Sequence, residues 1–387
     1  MDAADLDVWI LAGQSNMQGY GLLAGALPPD ERVWNFTSAG RWEIAEEPLQ
    51  RLWESYTPVH IDYYRQVFPQ CAGKTDEECA REEAERRVVG AGLGISFGSA
   101  MAEGLGRPVG LIPCAHGGSS LEDWTPARKG EGGSSLYGAM LDRVRRAGGR
   151  LRGLLWYQGE SDATPELAPT YARRLDAWIA AARADLGRPD LPVLAVQLAR
   201  YQAGPGNPAN PGWDEVREAI ASLPARVAHT WATSAIDLGL DDPIHLSAGS
   251  LIRLGKRLAR LALHSIRHPD RAAGPRVARL EYDHAPPGTG LGVVRAICDG
   301  LEGGWAPSDN LSGFSVHTPD GQPHPRLHVF NASVSAAAPD TIRLGLSAQA
   351  TEPLAIAYGL GLSPHCALAD RADMPLCAFK PRRVSIG

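Results

Sequence analysis

Val8-Trp9-Ile10-Leu11-Ala12-Gly13-Gln14-Ser15-Asn16-Met17-Gln18-Gly19 joins an apolar run to a polar turn led by glycine. The apolar run from Val8 to Ala12 reads as a buried strand. Gly13-Gln14-Ser15-Asn16 then puts one serine at its carboxyl end, where the next helix would begin. Ligands of open α/β sheets bind beyond the carboxyl ends of the strands, and the free N–H groups and dipole of a helix start favour developing negative charge. Ser15 is therefore a candidate nucleophile. Capping a helix is the plainer role of such a serine, and the rest of the chain decides between the two.

Outward from this segment, apolar runs alternate with helical patterns over the first two-thirds of the chain. Pro108–Pro113, Leu151–Trp156, Leu191–Leu198 and Val227–Thr233 are further strand candidates. Tyr171, Leu175, Trp178, Ile179, Ala182 and Leu186 recur at helical spacing, as do Leu251, Leu254, Leu258 and Leu261. Strands alternating with helices imply a mostly parallel sheet covered on both faces. The regularity fails between Arg41 and Val89, where Trp42, Trp53, Tyr56, Tyr63 and Tyr64 mix with charges and Glu77 to Arg87 reads as a polar helix. That stretch, about 41–89, is taken as an insertion over the sheet edge or the site rim. Its aromatic residues could stack on a sugar or simply pack the insertion onto the body. After Pro269 prolines punctuate short strand-like pieces (Arg276–Tyr282, Gly292–Ile297, Leu327–Phe330, Thr341–Leu346). The expected division is an α/β domain over 1–269 and a β-rich accessory domain over 270–387.

The chain has 387 residues, long enough to bury a large core without metal or disulfide support. Its 38 basic and 44 acidic residues leave a formal charge of −6, and no basic stripe stands out, so nucleic acid is not an expected partner. No apolar run approaches the length of a membrane span, so no membrane partner is expected either. Met1-Asp2-Ala3-Ala4-Asp5 lacks a signal peptide's basic and apolar regions. Localisation is therefore open: cytoplasmic, or secreted or periplasmic if a signal was removed. Local disulfides Cys71–Cys79 and Cys366–Cys377 would favour the second, while Cys114 and Cys298 read as buried thiols. No cysteine or histidine spacing suggests zinc, and neither metal nor cofactor is expected. Oligomeric state is not legible.

Three more segments follow predicted strands. Cys114-Ala115-His116-Gly117-Gly118-Ser119-Ser120, leading on to Trp124, offers paired glycines that let a backbone N–H approach a ligand. Trp156-Tyr157-Gln158-Gly159-Glu160-Ser161-Asp162 ends a strand with an amide and a carboxylate two residues apart. Asp242-Pro243-Ile244-His245 precedes the last amphipathic helix, with the carboxylate close enough in sequence to hold the imidazole. Together they supply the parts of acyl transfer. Ser15 would attack a carbonyl, His245 would take its proton and return it to the departing alcohol, and Asp242 would fix the imidazole tautomer. The Ser15 N–H, a glycine N–H (Gly118 favoured over Gly117) and the Gln158 amide would bind the oxyanion. Glu160 is the alternative acid for His245, or else a support of the nucleophile loop. Asp241 is expected to face solvent or cap a turn, Asp162 to cap a helix beginning near Pro165, and His116 to line the pocket. Trp124 and Trp156 could line a sugar site or pack the core. Arg41, Arg128 and Arg200 are candidates for reading a substrate carboxylate.

The four segments, in this order, resemble the sialate O-acetylesterase-like branch of the SGNH hydrolases, close to carbohydrate esterase family six. The likeness covers about residues 7–265. It implies a flavodoxin-like three-layer α/β/α fold and metal-free removal of acetyl groups from sugar hydroxyls. In that branch Gln-Gly-Glu stands where other SGNH enzymes carry an asparagine, which supports Gln158 as an oxyanion donor. Residues Ala357 to Phe379 resemble the family's β-rich tail more weakly. The expected function is a serine esterase deacetylating a xylan-type or sialate-type glycan. Its alternatives are a lipase- or thioesterase-like hydrolase of longer acyl esters and a catalytically silent carbohydrate-binding protein.

Overall fold

The structure, a computed structural model, describes residues 3–67, 74–75, 77–78, 81–82, 87–203, 212–271, 273–284 and 290–386. The opening apolar run is strand β1 (Asp7–Gly13), and its residues Val8 to Ala12 are at most 2 % exposed. In chain order follow β2 (Gly21–Leu22), β3 (Val33–Phe36), β4 (Trp42–Ile44), β5 (Val89–Ala91), β6 (Val109–Pro113), β7 (Arg150–Tyr157), β8 (Val193–Gln197) and β9 (Thr230–Ser234). The main sheet has the order β4-β3-β6-β1-β7-β8-β9, parallel except for β4, while β2 and β5 form a separate ribbon. Without the β3–β4 hairpin the order β6-β1-β7-β8-β9 is the flavodoxin-like 2-1-3-4-5. The hairpin therefore extends one edge. It also moves the start of the irregular stretch back from Arg41 to Val33, because Trp42–Ile44 is its outer strand.

Right-handed crossovers decide which face each helix covers. The chain moves one way from β1 to β6 and the other way from β6 through β7, β8 and β9. Helix Gly94–Leu105, on the first crossover, thus lies opposite Leu136–Ala147, Tyr171–Asp185 and Gly212–Ala221. The final helix, Ala248–Arg267, packs on Gly94–Leu105 and completes that layer. The helix expected near Pro165 starts instead at Tyr171, after two short 3-10 turns.

Beyond residue 275 the chain is β-rich. Strands β10 (Arg276–His284), β11 (Gly292–Asp299), β12 (Trp305–Ala306), β13 (Phe314–His317), β14 (Val329–Ser335), β15 (Ala338–Leu346), β16 (Ala355–Tyr358), β17 (Ala369–Asp370), β18 (Phe379–Arg383) and β19 (Ser385–Ile386) form small sheets, the largest ordered β14-β15-β11-β10-β19. Burial alternates residue by residue along β11, as expected of a strand with one covered face. Polar side chains tie this part to the α/β sheet. Gln197, at the end of β8, donates to the Ala378 carbonyl and accepts from its N–H, both at 2.8 Å. Arg217, 1 % exposed, donates to the carbonyls of Ala199 and Leu362. The expected Cys366–Cys377 disulfide is not formed. Both are free thiols, and Cys366 Sγ is buried beside Gly313 and Gly359 instead. Cys71 and Cys79 lie outside the described residues, as does most of the expected helix over 77–87.

Candidate active site

Three strand ends build the floor of the site. In the β1–β7 register Gly13 stands opposite Tyr157, so Gln14-Ser15 and Gln158-Gly159-Glu160 leave the sheet side by side. The Gln14 N–H still donates to the Tyr157 carbonyl at 2.9 Å. A side chain on Gly13, where φ is +141°, would stand 2.0 Å from that oxygen, so only glycine fits. On the other side Leu11 pairs with Pro113, and the His116 N–H donates to the Gly13 carbonyl. Ser15 opens a single helical turn, Ser15–Gln18, and is 8 % exposed.

His245 arrives from much farther away. After β9 the chain returns across the strand ends, and Asn16 fastens it: Asn16 Oδ1 accepts from the Leu246 N–H (2.9 Å) and Nδ2 donates to the Ile244 carbonyl (3.2 Å). His245 Nε2 then lies 2.9 Å from Ser15 Oγ, and Nδ1 lies 2.6 Å from Asp242 Oδ2. The other Asp242 oxygen accepts the N–H groups of Ile244 (2.8 Å) and His245 (2.7 Å). Partial burial opposes its charge, but these two amides and the imidazole outweigh that and hold the carboxyl below the usual carboxylate range. Asp241 accepts from the Leu22 N–H at an exposed position.

Glu160 does not touch the imidazole. Its Oε1 accepts from Asn16 Nδ2 at 2.9 Å, while Oε2 is buried without a partner. Burial pushes this carboxyl up to about 7. Of the two acids weighed from the sequence, the structure joins Asp242 to His245 and sets Glu160 beneath the nucleophile loop.

Gln158 is placed otherwise than expected. It is fully buried, and its amide nitrogen donates to Asp162 Oδ2 (2.6 Å) and the Ser119 carbonyl (3.1 Å). An amide nitrogen has two protons, and these acceptors take both. The structure thus does not bring the Gln158 side chain to the oxyanion position. Gly118 has φ +72° and open space where a side chain would be. The Gly117 N–H is used by Gln18 Oε1 at 2.9 Å. Among the described residues no acceptor faces the N–H of Ser15 or Gly118.

Asp162 proves to be a hub rather than a cap. It is fully buried and accepts from the Leu121 N–H (2.8 Å), Gln158 and Arg174 (2.6 Å). The local sequence gave no sign of this, since two of its partners, Leu121 and Arg174, lie on other segments. Gln14 is the second residue missed: its Oε1 accepts from the N–H groups of Gly159 and Ser161, each at 3.3 Å.

The walls are aromatic. Tyr20 stacks on the His245 ring, with centroids 4.3 Å apart and planes inclined by 22°. Tyr63, from helix Pro58–Val67 of the insertion, lies 4.3 Å from the His116 ring. His116 and His60 meet through their Nδ1 atoms at 2.9 Å, and burial holds both neutral, with His116 lowered to about 4. Trp124 and Trp156 are fully buried against Trp178 and belong to the core. Arg41 and Arg128 pair with Glu43 and Glu131 at the surface, and Arg200 donates to the Leu238 carbonyl.

A three-layer α/β fold with a serine, an imidazole and a carboxylate in line at the switch point places the molecule among SGNH-type hydrolases. Residues 5–264 match the family described as carbohydrate esterase, sialic acid-specific acetylesterase, and the chain belongs to it. A probable carbohydrate esterase of Arabidopsis thaliana is 31 % identical over 279 residues, 66 % of this chain and 90 % of the plant protein. A crystal structure of an Arabidopsis thaliana protein is 30 % identical with a TM-score of 0.50, covering 66 % of this chain and 97 % of the other. The fold extends further in a carbohydrate acetylesterase from Xanthomonas citri: TM-score 0.66 at 23 % identity, over 98 % of this chain and 80 % of that one. Family membership makes the protein a carboxylic ester hydrolase of the carbohydrate acetylesterase class, with an acetylated carbohydrate as substrate.

Proposed function

We propose that the protein is a serine esterase that removes O-acetyl groups from a xylan-type or sialate-type glycan through an acyl-enzyme intermediate. The observation that carries this reading is the line Ser15 Oγ–His245 Nε2 and His245 Nδ1–Asp242 Oδ2, at 2.9 and 2.6 Å. His245 takes the Ser15 proton as the oxygen attacks the acetyl carbonyl. It then passes that proton to the sugar oxygen as the ester bond breaks. Asp242 keeps Nδ1 protonated and balances the imidazolium. The Ser15 and Gly118 N–H groups bind the oxyanion, and a water activated by His245 releases acetate in the second half. Residues 1–269 carry this chemistry and 270–387 form an accessory β-rich domain.

The test is acetate release from acetylated xylo-oligosaccharides and O-acetylated sialic acid, with Ser15→Ala alongside. Release from one sugar class that is abolished in the variant, with circular dichroism unchanged, is the expected result. Undiminished turnover by Ser15→Ala would remove the nucleophile assignment. A wild-type protein silent on every acetylated glycan would remove the substrate assignment.

A further inference from the structure

The stereochemistry of ester cleavage assigns each direction around Ser15 Oγ to one part of the substrate. The carbonyl oxygen must point at the donors of Ser15 and Gly118, and the departing oxygen must stand beside His245 Nε2, which protonates it. The sugar, being the leaving alcohol, therefore lies on the His245 side. That side is where Tyr20 covers the imidazole, 4.3 Å away and nearly parallel.

Tyr63 brings a second ring to the rim of the site from a different segment. It rests on His116 at 4.3 Å, and His116 is locked through its Nδ1 contact with His60 and leads directly into Gly117-Gly118. Tyr20 also lies close enough to Tyr63 to oppose ionisation of its hydroxyl, adding to the effect of burial. Both tyrosines are partly exposed, neither being sealed into the core. Each ring is thus registered to one half of the reaction machinery, Tyr20 to the base and Tyr63 to the oxyanion loop. The hydroxyl-bearing edges of a sugar need water or donors, but its C–H faces are apolar and fit an aromatic ring.

Resting on the esterase reading above, we infer that Tyr20 and Tyr63 form the leaving-group subsite, an aromatic wall that receives the pyranose ring whose acetyl ester is cleaved. Tyr63 is then a specificity-determining residue supplied by the insertion. Its contact is made only by substrates whose alcohol is large enough to reach it.

The experiment compares kcat/KM on the acetylated glycan that the wild type prefers with kcat/KM on ethyl acetate, whose alcohol is too small to span the wall. Tyr63→Ala should lower the ratio of the two by tenfold or more, mainly through KM for the glycan, and Tyr63→Phe should restore it to within about threefold. A ratio unchanged in Tyr63→Ala, whatever happens to both rates together, would overturn the subsite and leave Tyr63 as packing. A ratio that falls equally in Tyr63→Phe would overturn stacking as its cause. Failure of the esterase reading is separable, because it shows as a wild-type enzyme inactive on all acetylated glycans before any variant is compared.

Discussion

Two polar arrangements flank Ser15, and they are built on opposite plans. On one side Gln158 and Asp162 are fully buried and, with Gln14, bind backbone groups of two segments. On the other, the Asp242 side chain is 42 % exposed on a surface loop and the His245 side chain 17 %. The buried side holds a shape, and the Gln158 and Asp162 side chains are bonded to protein groups. In the mechanism proposed above the open side handles a proton, so its groups must reach substrate and water. A change on the buried side should be read out first as lost stability, and one on the open side as lost turnover with the fold intact.

The sharpest break of this contrast is His245→Ala. It should cost on the order of 10⁴-fold or more in kcat, with a urea midpoint close to wild type. A large loss of stability would place His245 in the structural group. Asp242→Asn should cost about 10²- to 10⁴-fold in kcat, again with little change in folding, and Glu160→Gln should cost far less. Equal losses in the two variants would return Glu160 to the role of supporting acid.

Asp162→Ala tests the buried side. It takes the carboxylate partner from Arg174 and strands the Leu121 N–H, and denaturant unfolding should show a loss of roughly 3 kcal/mol. A variant as stable as wild type but inactive would place Asp162 in the chemistry instead.

A further test on the buried side is the pH dependence due to Glu160. Its carboxyl titrates near 7 in the folded protein against an ordinary value of 4.5. Between those values the native state keeps a proton that the unfolded chain has released. The contribution of Glu160 to stability therefore falls as pH rises from about 4.5 to 7. Glu160→Gln keeps an acceptor for Asn16 and removes the titration, so its unfolding free energy should change less across that window, by up to about 3 kcal/mol. An unaltered slope would show that the group is not held protonated.

Much of the α/β part was legible because its signals are local. Each of the five strands read from apolar runs is present, and the turns after β1 and β6 carry Ser15 and Gly118 to one place. The β3–β4 hairpin was not seen because Val33–Phe36 and Trp42–Ile44 are short and carry polar residues suited to an edge. Asp242 and His245 could be paired from their spacing, since both partners lie in one loop. Gln158 could not be placed the same way. Whether an amide faces a pocket or a neighbouring carboxylate depends on residues 158 and 162 turning back together, and on Arg174 arriving from another helix. The expected disulfide failed for a related reason: nearness in sequence says nothing of where two thiols point.

The seam between β8 and the C-terminal strands has a consequence for how far this chain can be shortened. Gln197 is fully buried and exchanges two hydrogen bonds with the Ala378 backbone, and Arg217 donates to the Leu362 carbonyl. A chain cut after the last α/β helix would also uncover Ile236, which packs in one cluster with Tyr358 and Phe379, and apolar surface bared in this way favours aggregation. Minimising this enzyme by deletion alone should therefore yield insoluble protein, whereas trimming accompanied by an apolar-to-polar change at Ile236 should yield a more soluble one.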